Sequence, residues 1–276
     1  MKYSLIVDSC CDATGEILPD MNLVKVPLNL MLGEREIVDD EGLNLSDFME
    51  DMKNCNEKIG SSAPAPYLYS QAYEQAESSF VVTLSSRLSS SYSSAILGQQ
   101  MLDNENHEVY VFDSKSASAG EALLALKIRE FIVAGMSRDE IIEKGEAFIK
   151  RMKTYFVLDN IDNLMKNGRL SKIKGRLINM LNIKPLLGSD GDGQIVSYAN
   201  CKGTAKIIKK MVETIELSGI ETSGETLVIS HCNNIELATR LKMAIEESYH
   251  FKQIYVIATG GLSSLYANDK GIVMAF

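Results

Sequence analysis

Residues 80–95 read Phe-Val-Val-Thr-Leu-Ser-Ser-Arg-Leu-Ser-Ser-Ser-Tyr-Ser-Ser-Ala. A short apolar run passes directly into a loop in which seven of the ten residues from 85 to 94 are serine. An unbroken apolar run bounded by polar residues reads as a strand buried on both faces, and the serines then lead into a helix reaching about residue 102. The same order recurs on both sides of it. Residues 3–7 (Tyr-Ser-Leu-Ile-Val) end at Asp8-Ser9, and residues 109–112 (Val-Tyr-Val-Phe) end at Asp113-Ser114. Helices are expected over 119–133, closed near Gly135, and from Ser137, whose Glu140 completes a capping box, to about residue 152. Strands alternating with helices of this length predict a mostly parallel sheet covered on both faces, with its working edge at the carboxyl ends of the strands.

Working outward, residues 23–32 are strand-like but interrupted by Pro27, which predicts an edge or a bend. A helix capped by Asn44 or Ser46 follows. Ser61-Ser62-Ala63-Pro64-Ala65-Pro66 then leads into another helix, to about residue 77. Beyond Met152 the texture changes. A short helix over 160–166, a segment over 171–181 and a hairpin of 183–187 with 194–198 turning at 188–193 precede a helix over 204–217. Strands at 226–230, 253–258 and 270–276 and a helix over 234–248 complete the chain. The expected fold is α/β in two domains. The first, 1–154, has a mostly parallel sheet flanked by helices, and the second, 155–276, has a mixed or antiparallel sheet.

The composition, 45% hydrophobic and 24% charged, is that of a globular chain. A net charge of -9 argues against nucleic acid as a partner, and the densest basic stretch, from Lys166 through Arg169, Lys172, Lys174 and Arg176 to Lys184, reads as a solvated face or a local anion or partner site. No apolar stretch approaches the roughly 18 residues of a membrane span, so no integral membrane segment is expected. The opening Met-Lys-Tyr-Ser-Leu-Ile-Val-Asp meets acid too soon to read as a secretory signal. Five scattered cysteines, an odd number, suit a reducing compartment and hence a cytoplasmic location.

The serine loop is where chemistry is concentrated. Unpaired amides at a helix N-terminus and rotatable hydroxyls beside them make a cradle for a carboxylate or phosphate. Ser85 and Ser86 precede the helix and are the first ligand candidates, Ser89 or Ser90 the cap, and Arg87 an ion-pair partner or a surface residue. Ser61 and Ser62 form a second hydroxyl pair before a second helix. The same hydroxyls would also serve as plain caps and turn formers. No Gly-x-Ser-x-Gly elbow, Gly-x-Gly-x-x-Gly or P-loop occurs, so neither a catalytic triad nor an integral nucleotide site is expected. His107 and His250 read as solvent-facing, and His231, just after a strand, as structural or as a site residue. Asp8, Asp12 and Asp113 at strand ends read as loop anchors before they read as a cation site. No metal and no cofactor are expected.

These motifs together resemble the DegV family of bacterial fatty-acid-binding proteins, some of which present lipid to a fatty acid kinase. Val7-Asp8-Ser9 with Asp12 resembles the family's D-S-T-x-D start, and Ser61-Ser62-Ala63-Pro64 its T-S-Q-P. Residues 84–95 resemble L-S-S-G-L-S-G-T-Y-x-S-A, and Val111-Phe112-Asp113-Ser114 with Ser118 the V-x-D-S segment. Asn167-Gly168-Arg169 and Ile183-Lys184-Pro185 resemble G-G-R and I-K-P. The resemblance spans essentially the whole chain.

It implies a non-catalytic protein that binds a long-chain fatty acid, with the carboxylate on Ser61 and Ser86 and the acyl chain in an apolar tunnel of the N-terminal domain, covered on its head-group side by the C-terminal domain. Ser62, Ser85, Ser89, Arg87, Arg169, Lys202, His231 and Tyr266 are the accessory candidates, and a separate fatty acid kinase subunit is the implied protein partner. Arg169 keeps a family arginine, whereas Lys202 stands in place of a second arginine and Tyr266 in place of a histidine. Lysine keeps the charge without the fork, and tyrosine cannot be cationic near neutral pH. Two other readings stay open. One is a phosphoryl-transfer or acyl-phosphate-handling component using Arg169, Lys202 and His231, and the other is a regulatory protein for a different amphiphilic acid.

Overall fold

The computed structural model describes residues 3–102, 107–170 and 183–276. The expected segment over 171–181, with Lys172, Lys174 and Arg176, lies outside them. In chain order the first half comprises β1 (Ser4–Asp8), β2 (Asn22–Val26), β3 (Asn29–Leu32), β4 (Arg35–Val38), α1 (Leu45–Asn54), β5 (Ile59–Ser62), α2 (Pro66–Tyr73), β6 (Ser78–Thr83), α3 (Ser91–Gln100), β7 (Glu108–Asp113), α4 (Ala119–Val133) and α5 (Arg138–Arg151). The second half comprises β8 (Thr154–Val157), α6 (Asp162–Lys166), β9 (Ile183–Ser189), β10 (Ile195–Lys202), α7 (Thr204–Ser218), β11 (Thr226–His231), α8 (Ile235–Glu246), β12 (Gln253–Ala258), α9 (Gly261–Ala267) and β13 (Ile272–Ala275).

The apolar runs 3–7, 80–84 and 109–112 become β1, β6 and β7 of a wholly parallel sheet ordered β2-β1-β6-β7. Every residue of β1 and β6 is buried, as strands covered on both faces should be. With β2 on one side of β1 and β6 on the other, the crossovers diverge at the carboxyl ends of β1 and β6. That divergence opens a crevice where α/β folds bind ligands. The run 23–32 is two strands, not one. Pro27, which lacks an amide proton, separates edge strand β2 from β3, which joins a small antiparallel sheet ordered β4-β3-β5. This third sheet was not legible in the sequence, and it carries Ser61 opposite Leu30.

The second half forms a six-stranded mixed sheet ordered β10-β9-β8-β13-β11-β12. Its hairpin β9–β10 turns as expected, and β13 runs antiparallel to both β8 and β11. The two halves share a core. Residues 119–125 of α4 are all buried, and the helix packs against β1 and β6 on one side and β11 and β13 on the other. A helix apolar on nearly all faces is the expected filling between two sheets. Among the described residues no helix is long and apolar enough to cross a membrane.

Helices α2 and α3 pack tightly beside the crevice. Tyr69 Oη lies 2.6 Å from Ser91 Oγ, and Tyr73 donates to the Ala95 carbonyl at 2.9 Å. Their approach requires Gly98, where a Cβ would come 2.6 Å from the Pro66 carbonyl oxygen and 2.7 Å from Tyr69 Cβ. Gly98→Ala is therefore expected to destabilise the protein by about 1–3 kcal/mol, the usual cost of overpacking, read as a lowered urea midpoint. An unchanged midpoint would mean that the helices can part without loss.

Candidate functional site

The site is built from the carboxyl end of β1. Asp8 is fully buried and its carboxylate accepts hydrogen bonds from the Cys10 amide at 3.1 Å, the Leu84 amide at 2.9 Å and the Ser91 hydroxyl at 2.6 Å. It thus pins both ends of the serine loop. Within that loop the Leu88 and Ser89 amides donate back to the Ser85 carbonyl, at 2.9 and 3.1 Å, so residues 85–89 close one helical turn. The turn sorts the serines. Leu88 and Ser89 face a cavity between the two halves of the molecule, while Ser86 and Arg87 are exposed.

The cavity has a volume of about 110 Å³ and opens to solvent. Leu28, Leu84 and Leu88 line it from the first half, and Phe156, Leu158 and Val273 are among its walls from the second. The apolar space is therefore not confined to the N-terminal domain, because Phe156 of β8 and Val273 of β13 also line it.

Polar side chains share the lining, among them Lys115, Ser116, Thr154 and Gln194 as well as a corner that includes Ser61 and Arg169. Ser61 Oγ and Tyr266 Oη are 2.9 Å apart, and both line the cavity with Ser89 and Arg169. The Arg169 guanidinium lies over the Tyr266 ring, 5.6 Å from its centroid, and donates to the carbonyls of Leu88 at 3.2 Å and Asn167 at 2.6 Å. Among the described residues it has no carboxylate partner. Asn167 and Asn163 hold this corner together, Asn167 donating to the Ile59 carbonyl at 2.9 Å and Asn163 to that of Leu265 at 2.8 Å. Helix α9, which carries Tyr266, is fixed at its start by Asp12 on the Gly260 amide at 2.8 Å and Asp39 on the Leu262 amide at 2.9 Å. Burial pushes the Asp39 carboxyl up to about 6, against the opposing bonds from Ser9 and Leu262.

The other candidates are placed elsewhere. Ser86 donates to Asp113 at 2.5 Å and lies outside the cavity lining, so the structure does not bring it to Ser61. Ser85 is buried and donates to the Gly193 carbonyl at 2.9 Å, joining the serine loop to the β9–β10 turn. Ser62, Arg87 and Lys202 are exposed. His231 is half-buried, with burial lowering its pKa, and its Nδ1 accepts from the Asn234 amide at 3.3 Å. Of Arg169, Lys202 and His231, the trio expected to stabilise anionic oxygens, only Arg169 lines the cavity. His107 is not purely solvent-facing, since its Nδ1 lies 3.0 Å from the Ala76 carbonyl oxygen. The sequence missed α9 altogether, a short helix behind two glycines with too few turns for a readable period.

One cluster beneath the loop needs a charge account. Glu121 is fully buried and neither carboxyl oxygen receives a hydrogen bond, yet ligand atoms of Asp8, Cys10 and Glu121 lie within 4.8 Å of one another. Burial, reinforced by the charge of Asp8, pushes the Glu121 carboxyl well above the usual carboxylate range, and burial also holds Cys10 as a thiol. With Asp8 already taking three donors, a proton on Glu121 suits this donor set better than a cation. Such a proton can be donated to Asp8, which removes the repulsion between two buried carboxylates.

An unfolded glutamate titrates near 4.3, whereas folded Glu121 keeps its proton to higher pH, so its contribution to stability is complete at acid pH and declines as pH rises. Glu121→Gln removes that dependence. The variant is expected to gain stability relative to the unsubstituted protein between pH 4.5 and 8, measured by urea unfolding at each pH. Parallel profiles for the two proteins would mean that Glu121 is charged in the fold.

The sequence profile of the DegV family matches residues 2–275. A DegV domain-containing protein of Streptococcus pyogenes serotype M1 is 31% identical over 280 residues, covering 100% of this chain and 99% of the relative. The crystal structure of a DegV family protein from Ruminococcus gnavus, refined with vaccenic acid, superposes with a TM-score of 0.95 at 36% identity over 100% of both chains. The fatty acid kinase B3 protein of Streptococcus pneumoniae, loaded with linoleic acid, superposes with a TM-score of 0.92 at 31% identity, covering 100% of this chain and 99% of that one.

Proposed function

This chain belongs to the DegV family, and from that premise we propose that it binds one long-chain fatty acid, with the acyl chain in the cavity between its two halves and the carboxylate at the Ser61–Ser89–Arg169–Tyr266 corner. The observation that carries the reading is a mostly apolar cavity whose lining brings together Ser61, Ser89, Tyr266 and the Arg169 guanidinium. Burying methylenes contributes about 0.8 kcal/mol each, so the chain supplies affinity and the corner supplies orientation.

Among the described residues Arg169 provides the cationic side chain at that corner, and Ser61 and Ser89 provide hydroxyl donors. Ser89 Oγ accepts from the Ser91 amide at 3.2 Å, which holds that hydroxyl at the start of α3. The head-group pair carried over from the family was Ser61 and Ser86. The geometry favours Ser89 in place of Ser86, since Ser86 is engaged by Asp113. The relatives from Ruminococcus gnavus and Streptococcus pneumoniae hold fatty acids at full-length coverage, which supports a binding protein and not an enzyme. The likeness to a fatty acid kinase B3 protein supports presentation of the lipid to a separate kinase subunit. All five cysteines are free, which supports a reducing, cytoplasmic setting.

The test uses delipidated protein and displacement of a fluorescent fatty acid by oleate. A hydrogen bond to a charged group contributes about 1.5–3 kcal/mol, so Ser89→Ala and Ser61→Ala are each expected to raise Kd roughly ten- to hundredfold. Ser86→Ala should leave Kd within about twofold, a change below 0.5 kcal/mol. Loss of binding in Ser86→Ala with none in Ser89→Ala would move the head group to the outer side of the loop.

A further inference from the structure

A second hydroxyl pair stands in the cavity wall, away from the Arg169 corner. Ser116, in the loop that leads into α4, and Thr154, the first residue of β8, both line the cavity and are buried, at 4% and 7% exposure. Their hydroxyl oxygens lie 2.7 Å apart. Two hydroxyls bring two protons to one mutual bond, and among the described residues neither has another partner, so one proton is left unspent. The pair is closed on the α4 side, where a Cβ on Gly120 would overlap Ser116 Oγ and come 2.9 Å from Thr154 Oγ1. Its open side is the cavity. An idle donor on a mostly apolar wall is costly unless something in the cavity accepts from it.

The strand fixes how far this pair stands from the head group. Thr154 and Phe156 share one face of β8, and Leu158, just past the strand's end, packs in the cluster that includes Tyr266. Four residues of strand span about 13 Å. A ligand whose carboxylate sits at the Arg169 corner therefore brings carbons of its chain, and not its head, to the pair. The nearby cation, Lys115, has its Nζ 3.5 Å from the Asp192 carboxylate, so this wall offers a neutral hydroxyl and not a second carboxylate site. We propose that the Ser116–Thr154 pair is a specificity site that selects fatty acids bearing an oxygen substituent, a hydroxyl or keto group, partway along the acyl chain. The inference rests on the fatty-acid reading above and narrows the ligand class within it. The ligand oxygen accepts the unspent proton, and the hydrogen of a ligand hydroxyl turns to a lone pair that the two side chains leave open. A plain acyl chain leaves the pair half used. A site built around a buried donor discriminates against the analogue that lacks the matching group.

The test titrates delipidated protein with octadecanoic acid and with a positional series of monohydroxyoctadecanoic acids. At least one hydroxy acid is expected to bind about three- to tenfold tighter than the plain acid, the gain of one neutral hydrogen bond. In the double variant Ser116→Ala, Thr154→Val that preference disappears, and the plain acid binds as well as before or better, since apolar replacement of both partners leaves no group unpaired. Plain acid binding as tightly as every hydroxy acid, or more tightly, overturns the proposal, and that comparison on the unsubstituted protein needs no variant to fold. A preference that persists in the double variant also overturns it, because the selection then arises elsewhere in the cavity. Both results leave the fatty-acid reading standing. Failure to take up any of these acids removes that reading and the proposal with it.

Discussion

The carboxylate of Asp8 is the constraint on which the site depends. It stands at the end of a strand buried on both faces, where an unsatisfied charge would be costly, and three donors from its own loop and the serine loop satisfy it. Those bonds fix where the loop leaves β6 and where α3 begins. Everything between them is then a single turn whose pitch decides which hydroxyls face the cavity. Burial pushes the carboxyl of Glu121 below it toward the protonated form, which keeps a second negative charge away from the same anchor.

The second constraint is α4. Because it is buried between the parallel sheet and the mixed sheet, the two halves cannot be treated as separate bodies, and the space left beside it is shared between them. That explains why the cavity draws walls from β8 and β13 as well as from the serine loop. It also explains why the polar corner assembles from four separate stretches of chain: β5, the serine loop, the Asn167–Arg169 turn and α9. Each stretch is held by hydrogen bonds to backbone groups, which sets the corner's geometry before any ligand enters.

Much of the frame was legible in the residues. Buried runs ending in Asp-Ser or Leu-Ser-Ser marked the strand ends, and the capping box at Ser137 and Glu140 formed as read. The density of serine marked the loop. What the sequence could not resolve was orientation within it. Ser86 and Ser89 are equal as letters, and only the turn closed on the Ser85 carbonyl turns one outward to Asp113 and the other inward. The walls contributed by Phe156, Leu158 and Val273 looked like ordinary core, because side chains lining an apolar cavity obey the same pattern as those filling one. Helix α9 left no period to read, so Tyr266 entered only through resemblance.

The central claim is that an acyl chain lies between the two halves with its carboxylate at the Arg169 corner. Its most direct test is a crystal structure of the delipidated protein reloaded with a terminally brominated fatty acid, with the bromine located by anomalous scattering. The account predicts a carboxylate within hydrogen-bonding distance of Ser61 and Ser89 and a bromine peak among the apolar side chains of the cavity. A head group beside Ser86 and Asp113, or a bromine outside the cavity, would contradict it.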